Sequence, residues 1–439
     1  MRLLAVGDLH LGRRPSRLPE SIDAAGLGPG EAWRRTVDAA IGHRATAVLL
    51  AGDVVDRERD FFEAYRELAA GVRRLVDAGI KVAAVAGNHD VQVLPRLADE
   101  LPDFTLLGRG GRWQSLPLEA DGQRVTVWGW SFPQSRVTGS PLAAPDSPAA
   151  AGFDPGPGLH LGLLHCDRDQ AGSPYAPVTS AELASARLDG WLLGHIHKPD
   201  PLGADNLSGY LGSVSAAHPG ESGARGPWLL QIGRGSVRAM KHLALAPLRY
   251  LPLEVDLSGI DGVEQSRSRV LAALRGLDGE LAASGWVPQA VALRLRFGGR
   301  SRFGHQALEA LSPPEDRDHV FTGGAGTRYF IEHLVVDTLP EADLPAMARR
   351  ADPVGVLAGR LLCLDRAADD AERQALVRGA LQRLRDRQAE RAWQGLQRPV
   401  PDEAMAEVWL RRSGMQLLDH LLAQVVETSD RNPEPEGDG

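Results

Sequence analysis

The sequence predicts an α/β layered protein, and three observations carry that prediction. Apolar runs of strand length occur at 3–6, 47–51 and 82–85. Between them lie stretches with helical spacing, Trp33, Val37 and Ile41 in one and Phe62, Tyr65, Leu68, Val72, Leu75 and Val76 in the other. Each apolar run ends in a polar motif, and strand C-termini are where open α/β sheets bind ligands.

Taken in order, the first strand runs into Gly7-Asp8-Leu9-His10-Leu11-Gly12-Arg13-Arg14. An irregular segment with Pro15, Pro19, Gly28 and Pro29 precedes a helix over 31–40. The second strand ends in Gly52-Asp53-Val54-Val55-Asp56-Arg57, and the helix after it, over 61–78, is stopped by Gly79. The third leads into Gly87-Asn88-His89-Asp90, where a bare Gly-Asn also reads as ordinary turn chemistry. Further strands are expected at 104–107 and 125–130, and the Pro-, Ala-, Gly- and Ser-rich stretch 137–158 reads as a flexible insertion. A strand at 160–164 delivers His165, and one at 190–193 delivers Gly194-His195-Ile196-His197. Strands near 210–214 and 228–232 complete a first domain, 1–245.

A second domain, 249–350, reads as α+β. Residues 251–257 and 291–297 alternate apolar and polar side chains, with a helix over 263–283 between them and a strand at 329–336 after them. Its isolated His305, His319 and His333 read as structural or surface residues. From 353 to 428 the pattern is helical. Leu357, Leu361 and Leu364 mark one face, and Leu376, Ala380, Leu381 and Leu384 a second. Val408, Leu410, Leu417, Leu418, Leu421, Leu422 and Val425 mark a third. Residues 429–439 are polar and read as a disordered tail.

With 439 residues, 43% hydrophobic and 24% charged, the chain has the composition of a globular protein with room for two or three domains. A net charge of −8 excludes a polycation but not a local nucleic-acid-binding patch. Lysine occurs only at 81, 198 and 241, so positive charge is nearly all arginine, which a GC-rich genome explains better than phosphate recognition does. Cys166 and Cys363 make no disulfide framework. No leader pattern and no apolar run of ~18 residues is seen, so the expectation is a cytoplasmic protein without membrane attachment.

Asp8, His10, Asp53, Asn88, His165, His195 and His197 each follow an expected strand, so seven oxygen and nitrogen donors converge at one sheet edge. That mixed set suits Mn²⁺, Fe²⁺ or Zn²⁺ better than Mg²⁺ or Ca²⁺. The pairs Asp8-x-His10 and His195-x-His197 have the period of an extended strand, which turns both members the same way. Seven ligands exceed one tetrahedral ion and match two ions, with Asp53 the natural bridge; such pairs clamp a phosphoryl group during hydrolysis. Any one of these residues alone reads as structure, His10 or His165 as a core histidine and Asp53 as a helix cap. Cys166, beside His165, reads as a non-ligand among harder donors.

In this order the five motifs (Asp-x-His, Gly-Asp-x-x-Asp, Gly-Asn-His-Asp, a lone His, Gly-His-x-His) resemble those of the calcineurin-like metallophosphoesterase superfamily. The resemblance implies a four-layer α/β sandwich, two mixed sheets between helices. Within it the chain looks most like the SbcD-type DNA double-strand-break repair exonucleases, through Asp8-Leu9-His10-Leu11-Gly12-Arg13, Glu221-x-Gly223-x-Arg225-Gly226 and the domain layout. By that resemblance, 1–245 is the nuclease domain and 249–350 a capping domain. The helices of 353–428 dock on an SMC-like, SbcC-type coiled-coil ATPase, and a homodimer is expected. One metal falls to Asp8, His10, Asp53 and His197, the other to Asp53, Asn88, His165 and His195, with Mn²⁺ the expected ion. His89 becomes the proton donor to the leaving oxygen, oriented by Asp90. Arg13 and Arg57 become substrate contacts. In one place the chain departs from the pattern, carrying Asp56-Arg57 where many such nucleases have His, as protein phosphatases do. The leading expectation is therefore a DNA exo/endonuclease subunit. The alternatives are a metallophosphatase or phosphodiesterase on a small or protein-bound phosphoester, and a non-catalytic scaffold against which the complete ligand set argues.

Overall fold

The computed structural model describes residues 1–301, 303–311, 320–339, 342–390 and 400–430; His319, the side chains of His305 and Val425, and all but two residues of the expected tail lie outside that description. The chain divides into two compact units. The first comprises Met1–Pro252 with Arg275–Arg294 and the described part of Arg317–Glu332.

Its strands and helices are β1 (Arg2–Val6), α1 (Pro29–Gly42), β2 (Ala47–Ala51), α2 (Phe61–Asp77), β3 (Lys81–Val85), α3 (Val93–Glu100) and β4 (Phe104–Leu106). There follow β5 (Trp113–Ala120), β6 (Gln123–Trp130), β7 (Leu159–His165), α4 (Ser180–Ser185), β8 (Gly190–Gly194), β9 (Ser208–Tyr210), β10 (Trp228–Gly233) and β11 (Ser236–His242). They build two mixed sheets. One has the order β11-β10-β1-β2-β3-β4, parallel from β1 to β4 and antiparallel at β10 and β11. The other has the order β5-β6-β7-β8-β9, parallel from β6 to β9 and antiparallel at β5.

Strand alternation makes the layers. Leu4, Val6, Val48, Leu50, Val82 and Ala84 face α1, α2 and α3. Their neighbours Leu3, Ala5, Leu49, Ala51, Ala83 and Val85 face the second sheet and meet Val125, Val127, Leu161, Leu163 and Leu192. Beyond that sheet lie Trp130, Leu164, Trp191 and Leu193 under Leu183 of α4. The outer helical layer on that side is thus a single short helix plus irregular chain. Much of that chain is the stretch expected to be a flexible insertion, and it is tied down instead. Pro141 accepts from Trp113 Nε1 at 3.0 Å, Asp146 from Trp113 N at 3.0 Å, and buried Ser147 donates to the Leu142 carbonyl at 2.7 Å.

Three more elements depart from expectation. The strand expected at 210–214 ends at Tyr210, after which Gly212 turns at φ +75°. The edge strands β5 and β11 were not anticipated. Both return through two-residue turns, Asp121-Gly122 and Arg234-Gly235, in which both residues have positive φ, the geometry of a type I′ hairpin.

β12 (Leu248–Asp256), α5 (Glu264–Ala283), β13 (Ala290–Gly298), α6 (Gly304–Leu311), β14 (Phe321–Thr322) and β15 (Arg328–Val336) follow. The sheet β12-β13-β15-β14 contributes residues to both units. Within the first unit Leu248, Tyr250, Ala290, Ala292 and Phe330 share a core with Ile22 and Leu27. The second unit also holds α7 (Leu344–Met347), α8 (Pro353–Cys363), α9 (Ala371–Ala389) and α10 (Glu403–Asp430). Asp352 and Asp370 cap α8 and α9, accepting from Gly355 N and Arg373 N. Leu361, Leu364, Leu381, Met415 and Leu418 form its core, whereas Val408 (65% exposed) and Leu417 (52%), both expected inside, lie outside it. Among the described residues no helix is long and apolar enough to cross a membrane.

Close packing between β7 and β8 gives a test of this core. A Cβ on Gly162 would lie 2.1 Å from the Trp191 ring, which is 1% exposed and hydrogen-bonded through Nε1 to the Leu183 carbonyl. Gly162→Ala is expected to cost about 1–3 kcal/mol through overpacking, read as a lower Tm in thermal denaturation. An unchanged Tm would show that Trp191 is free to move.

Candidate metal centre

The polar residues gather beyond the C-terminal ends of β1, β2, β3, β7 and β8. The backbone there is strained. Asp8, His10, Asp53 and His195 have φ of +34°, +50°, +48° and +102°, conformations that cost about 1–3 kcal/mol each and cluster at functional sites. So the Asp-x-His and His-x-His pairs do not converge by lying on strands, as expected; tight left-handed turns aim them. Glycines permit the approach. A Cβ on Gly87 would lie 2.1 Å from Asp53 Oδ1, and one on Gly194 would lie 1.9 Å from the Ala51 carbonyl oxygen.

Three groups of ligand atoms result, each within 4.8 Å: Asp8, His10 and His197; His10, Asp53 and His89; Asp53, His165 and His195. Asp53 links two of them. Its Oδ2 lies 3.5 Å from His165 Nε2 and 3.8 Å from His10 Nε2, while Oδ1 accepts from His89 N at 3.0 Å. Asn88 Oδ1 lies 3.0 Å from His165 Nε2 and so joins the last group. The two histidines of Gly194-His195-Ile196-His197 belong to different groups.

The imidazoles decide what these groups hold. His165 Nδ1 lies 3.1 Å from the Ala51 carbonyl, which only accepts, so Nδ1 carries a proton and Nε2 presents a lone pair. His197 Nδ1 donates to Glu221 Oε1 at 2.5 Å, His10 Nδ1 faces Asp56 Oδ1 at 3.1 Å, and His195 Nε2 faces Asp167 Oδ1 at 3.2 Å. The remaining nitrogens then meet in pairs, His10 Nε2 with His197 Nε2 at 3.0 Å and His165 Nε2 with His195 Nδ1 at 3.2 Å. Facing lone pairs repel each other and fit a shared cation. Asp8 adds a buried Oδ2 with no hydrogen-bond partner, its Oδ1 accepting from His195 N at 2.8 Å. The donor set therefore fits two divalent ions, one at Asp8, His10 and His197, the other at Asp53, Asn88, His165 and His195.

Charge follows geometry. Burial works to raise the Asp53 carboxyl, but the facing His165, His10 and His89 rings hold it below the ordinary carboxylate range. Burial likewise opposes ionisation of Glu221, yet its bonds from His197 and Ala217 N bring it down to about 2. His10 is raised, Asp56, Asp53 and Asp8 outweighing the effect of burial. Burial pushes the Cys166 thiol far up, consistent with its reading as a non-ligand.

His89 and Asp90 sit differently from expectation. The His89 side chain is 45% exposed, with Nδ1 donating to the Asp56 carbonyl at 3.0 Å and Nε2 4.0 Å from Asp53 Oδ2. Asp90 accepts instead from Gly87 N at 2.8 Å, Val54 N at 2.6 Å and Val55 N at 3.4 Å. The ring is oriented by a carbonyl because the Asp90 carboxylate is spent clamping the two motif loops together. Burial, then Asp53, pushes that carboxyl up to about 7. Arg13 and Arg57 line a cleft of about 680 Å³ that opens on His10, His89 and His197, together with Arg14 and Arg59.

Asp167 carries a role that the sequence reading missed, and Glu221 one that it noted only as part of a closing segment. Arg225 in that segment donates to the His197 carbonyl and, at 3.3 Å, to that of Ser222.

Residues 1–199 match the family described as calcineurin-like phosphoesterase. The chain carries a calcineurin-like metallophosphoesterase domain. It is 28% identical over 245 residues to the uncharacterized metallophosphoesterase YhaO of Bacillus subtilis, covering 54% of this chain and 59% of that protein. It is 30% identical over 279 residues to the DNA double-strand break repair protein Mre11 of Haloferax volcanii, covering 61% of this chain and 58% of that one. Both matches span less than two thirds of the relative's own length. Among solved structures, TT1561 of Thermus thermophilus aligns at 16% identity with a TM-score of 0.32, over 54% of this chain and 97% of that one.

The carboxylates behind the imidazoles give a prediction. Glu221→Ala frees His197 to rotate and is expected to weaken divalent-metal binding about 10–100-fold, the usual effect of losing such a partner. Asp53→Ala, which removes an oxygen from two groups, weakens it further. Calorimetric titration with Mn²⁺ reads both; wild-type affinity in Glu221→Ala would remove Glu221 from the metal's support.

Proposed function

We propose that this chain is a two-metal phosphodiesterase that cleaves DNA, an SbcD-type nuclease subunit working with an SMC-like coiled-coil ATPase. The observation that carries this reading is the set of four imidazoles, each with one nitrogen within 3.2 Å of an oxygen and the other turned to a ligand group, beside a half-exposed His89. Divalent ions at such a site supply charge stabilisation to a phosphoryl group. The side chains do the rest. His89 Nδ1 keeps its proton on the Asp56 carbonyl, so Nε2 is the atom that delivers a proton to the leaving oxygen. Asp90 holds the loops that carry Asp53 and His89 in register. Arg13 and Arg57 take the anionic oxygens of the substrate in the cleft.

The relationship to Mre11 proteins favours DNA. An apolar groove across α8, α9 and α10, lined by Leu361, Leu376 and Leu384 with Arg360, Arg383 and Arg387 among them and Trp409 57% exposed, fits a coiled-coil partner. On this reading 249–350 caps the nuclease domain, 353–428 binds the ATPase, the chain pairs as a homodimer, the ions are Mn²⁺ and the compartment is the cytoplasm. A phosphatase is the second reading, favoured by one observation. Asp56-Arg57, the pair in which the segment resembles the protein phosphatase motif, stands at the cleft wall as an ion pair of 3.3 Å.

The test is digestion of linear double- and single-stranded DNA in Mn²⁺, with and without a chelator. His89→Ala is expected to lose about 10²–10⁴ in rate while binding Mn²⁺ as tightly as wild type. Undiminished cutting by the variant would remove His89 as the acid. Hydrolysis of phosphomonoesters with no cutting of DNA would select the second reading.

A further inference from the structure

Phe62 is 84% exposed, well above Trp409 at 57%. Exposed apolar side chains are common and carry no meaning singly; the place of this one gives it meaning. It lies in the first turn of α2, one peptide unit (about 3.8 Å between Cα atoms) from Glu63, which lines the cleft at the metal-ligand groups. The chain leading to it, Arg57 to Asp60, supplies Arg57 and Arg59 to the same cleft. Each pairs through Nε with the carboxylate beside it in the chain, Asp56 at 3.3 Å and Asp60 at 3.8 Å, while 60% and 72% exposure leaves the rest of the two side chains accessible to an incoming anion. Behind Phe62 stands Phe61, edge to face at 5.4 Å, itself fixed by Tyr65 and by the Arg96 guanidinium 4.6 Å from its ring. The exposed ring thus has a rigid support.

Two largely exposed arginines and a supported, exposed aromatic ring on one short segment form the pattern that reads an unpaired nucleotide. Cations follow the backbone phosphates, and the ring offers a face on which any base stacks. Away from its ends, base-paired DNA keeps its bases stacked on each other and offers no free face to such a ring. We propose that Phe62 is a base-stacking platform for an unpaired nucleotide next to the scissile phosphate, with Arg57 and Arg59 on the flanking phosphates. The inference rests on the phosphodiesterase reading and narrows its substrate to a strand that is single or frayed at the cleavage point.

Fluorescence anisotropy in chelator, without turnover, tests it with a labelled single-stranded oligonucleotide and an abasic chain of the same length and charge. Phe62→Ala is expected to weaken binding of the base-bearing strand about 5–100-fold and to leave the abasic chain bound as by wild type. Phe62→Trp restores the loss. Equal affinity of wild type and Phe62→Ala for the base-bearing strand overturns the inference and leaves the nuclease reading standing. Equal losses on both strands overturn stacking in favour of a structural role. If the wild type binds DNA in a Phe62-dependent way but cuts none in Mn²⁺, the platform stands and the nuclease reading falls.

Discussion

Four imidazole rings cannot present lone pairs to the same small volume unless something takes the proton at the other end of each ring, and every arrangement around this site meets that demand. The Ala51 carbonyl and the carboxylates of Asp56, Asp167 and Glu221 fill the four places. These oxygens come from β2, from the loop after it, from the chain beyond β7 and from the stretch after β9. The site therefore depends on the register of both sheets. Shifting one strand by a residue would turn its side chain to the opposite face and break the tautomer of a ring several elements away.

That dependence accounts for the strain. Asp8, His10, Asp53 and His195 hold positive-φ backbone, which costs energy for any L-residue even though Asp and His enter that region more readily than most. Asp8 is kept there by the bond from His195 N, His10 by its own N–H to the Asp53 carbonyl at 2.8 Å, and Asp53 by the bond from His89 N. The strained residues restrain one another, so the cluster is cooperative with itself before any ion arrives. Asp90 is the residue that makes this work, because its two oxygens staple the loop after β2 to the loop after β3.

Much of this was legible in the sequence. The seven ligand candidates were identified because each stands directly after an apolar strand, and a polar residue in that place must be satisfied. The core strands were equally plain, since a strand buried on both faces is a continuous apolar run. The edge strands β5 and β11 were not, because half-buried strands dilute the pattern, although Asp121-Gly122 is a hairpin signal in its own right. The partners behind the rings were hidden for another reason. Asp167 and Glu221 are ordinary acids in irregular chain, and only the fold brings them within 3.2 and 2.5 Å of an imidazole. The resemblance implies that Asp90 orients the His89 ring, yet the Asp90 carboxylate accepts from Gly87 N and Val54 N instead.

Asp56 shows what the departure from the nuclease pattern means physically. Its carbonyl accepts from His89 Nδ1, and its carboxylate lies 3.1 Å from His10 Nδ1 as an ion-pair contact. The first bond belongs to the backbone and survives any side chain, so the orientation of the His89 ring does not depend on having Asp in this place. The second belongs to the carboxylate, and it sets which nitrogen of His10 faces His197 and Asp53. The departure therefore acts on the group around His10 and on the cleft wall, through the Asp56–Arg57 pair, and leaves the His89 ring untouched. Substrate choice and phosphoester chemistry are separable here. On the proposed reading the chemistry falls to the loops after β1, β2, β3, β7 and β8, and the choice of substrate to the segment from Asp56 to Glu63, which walls the cleft.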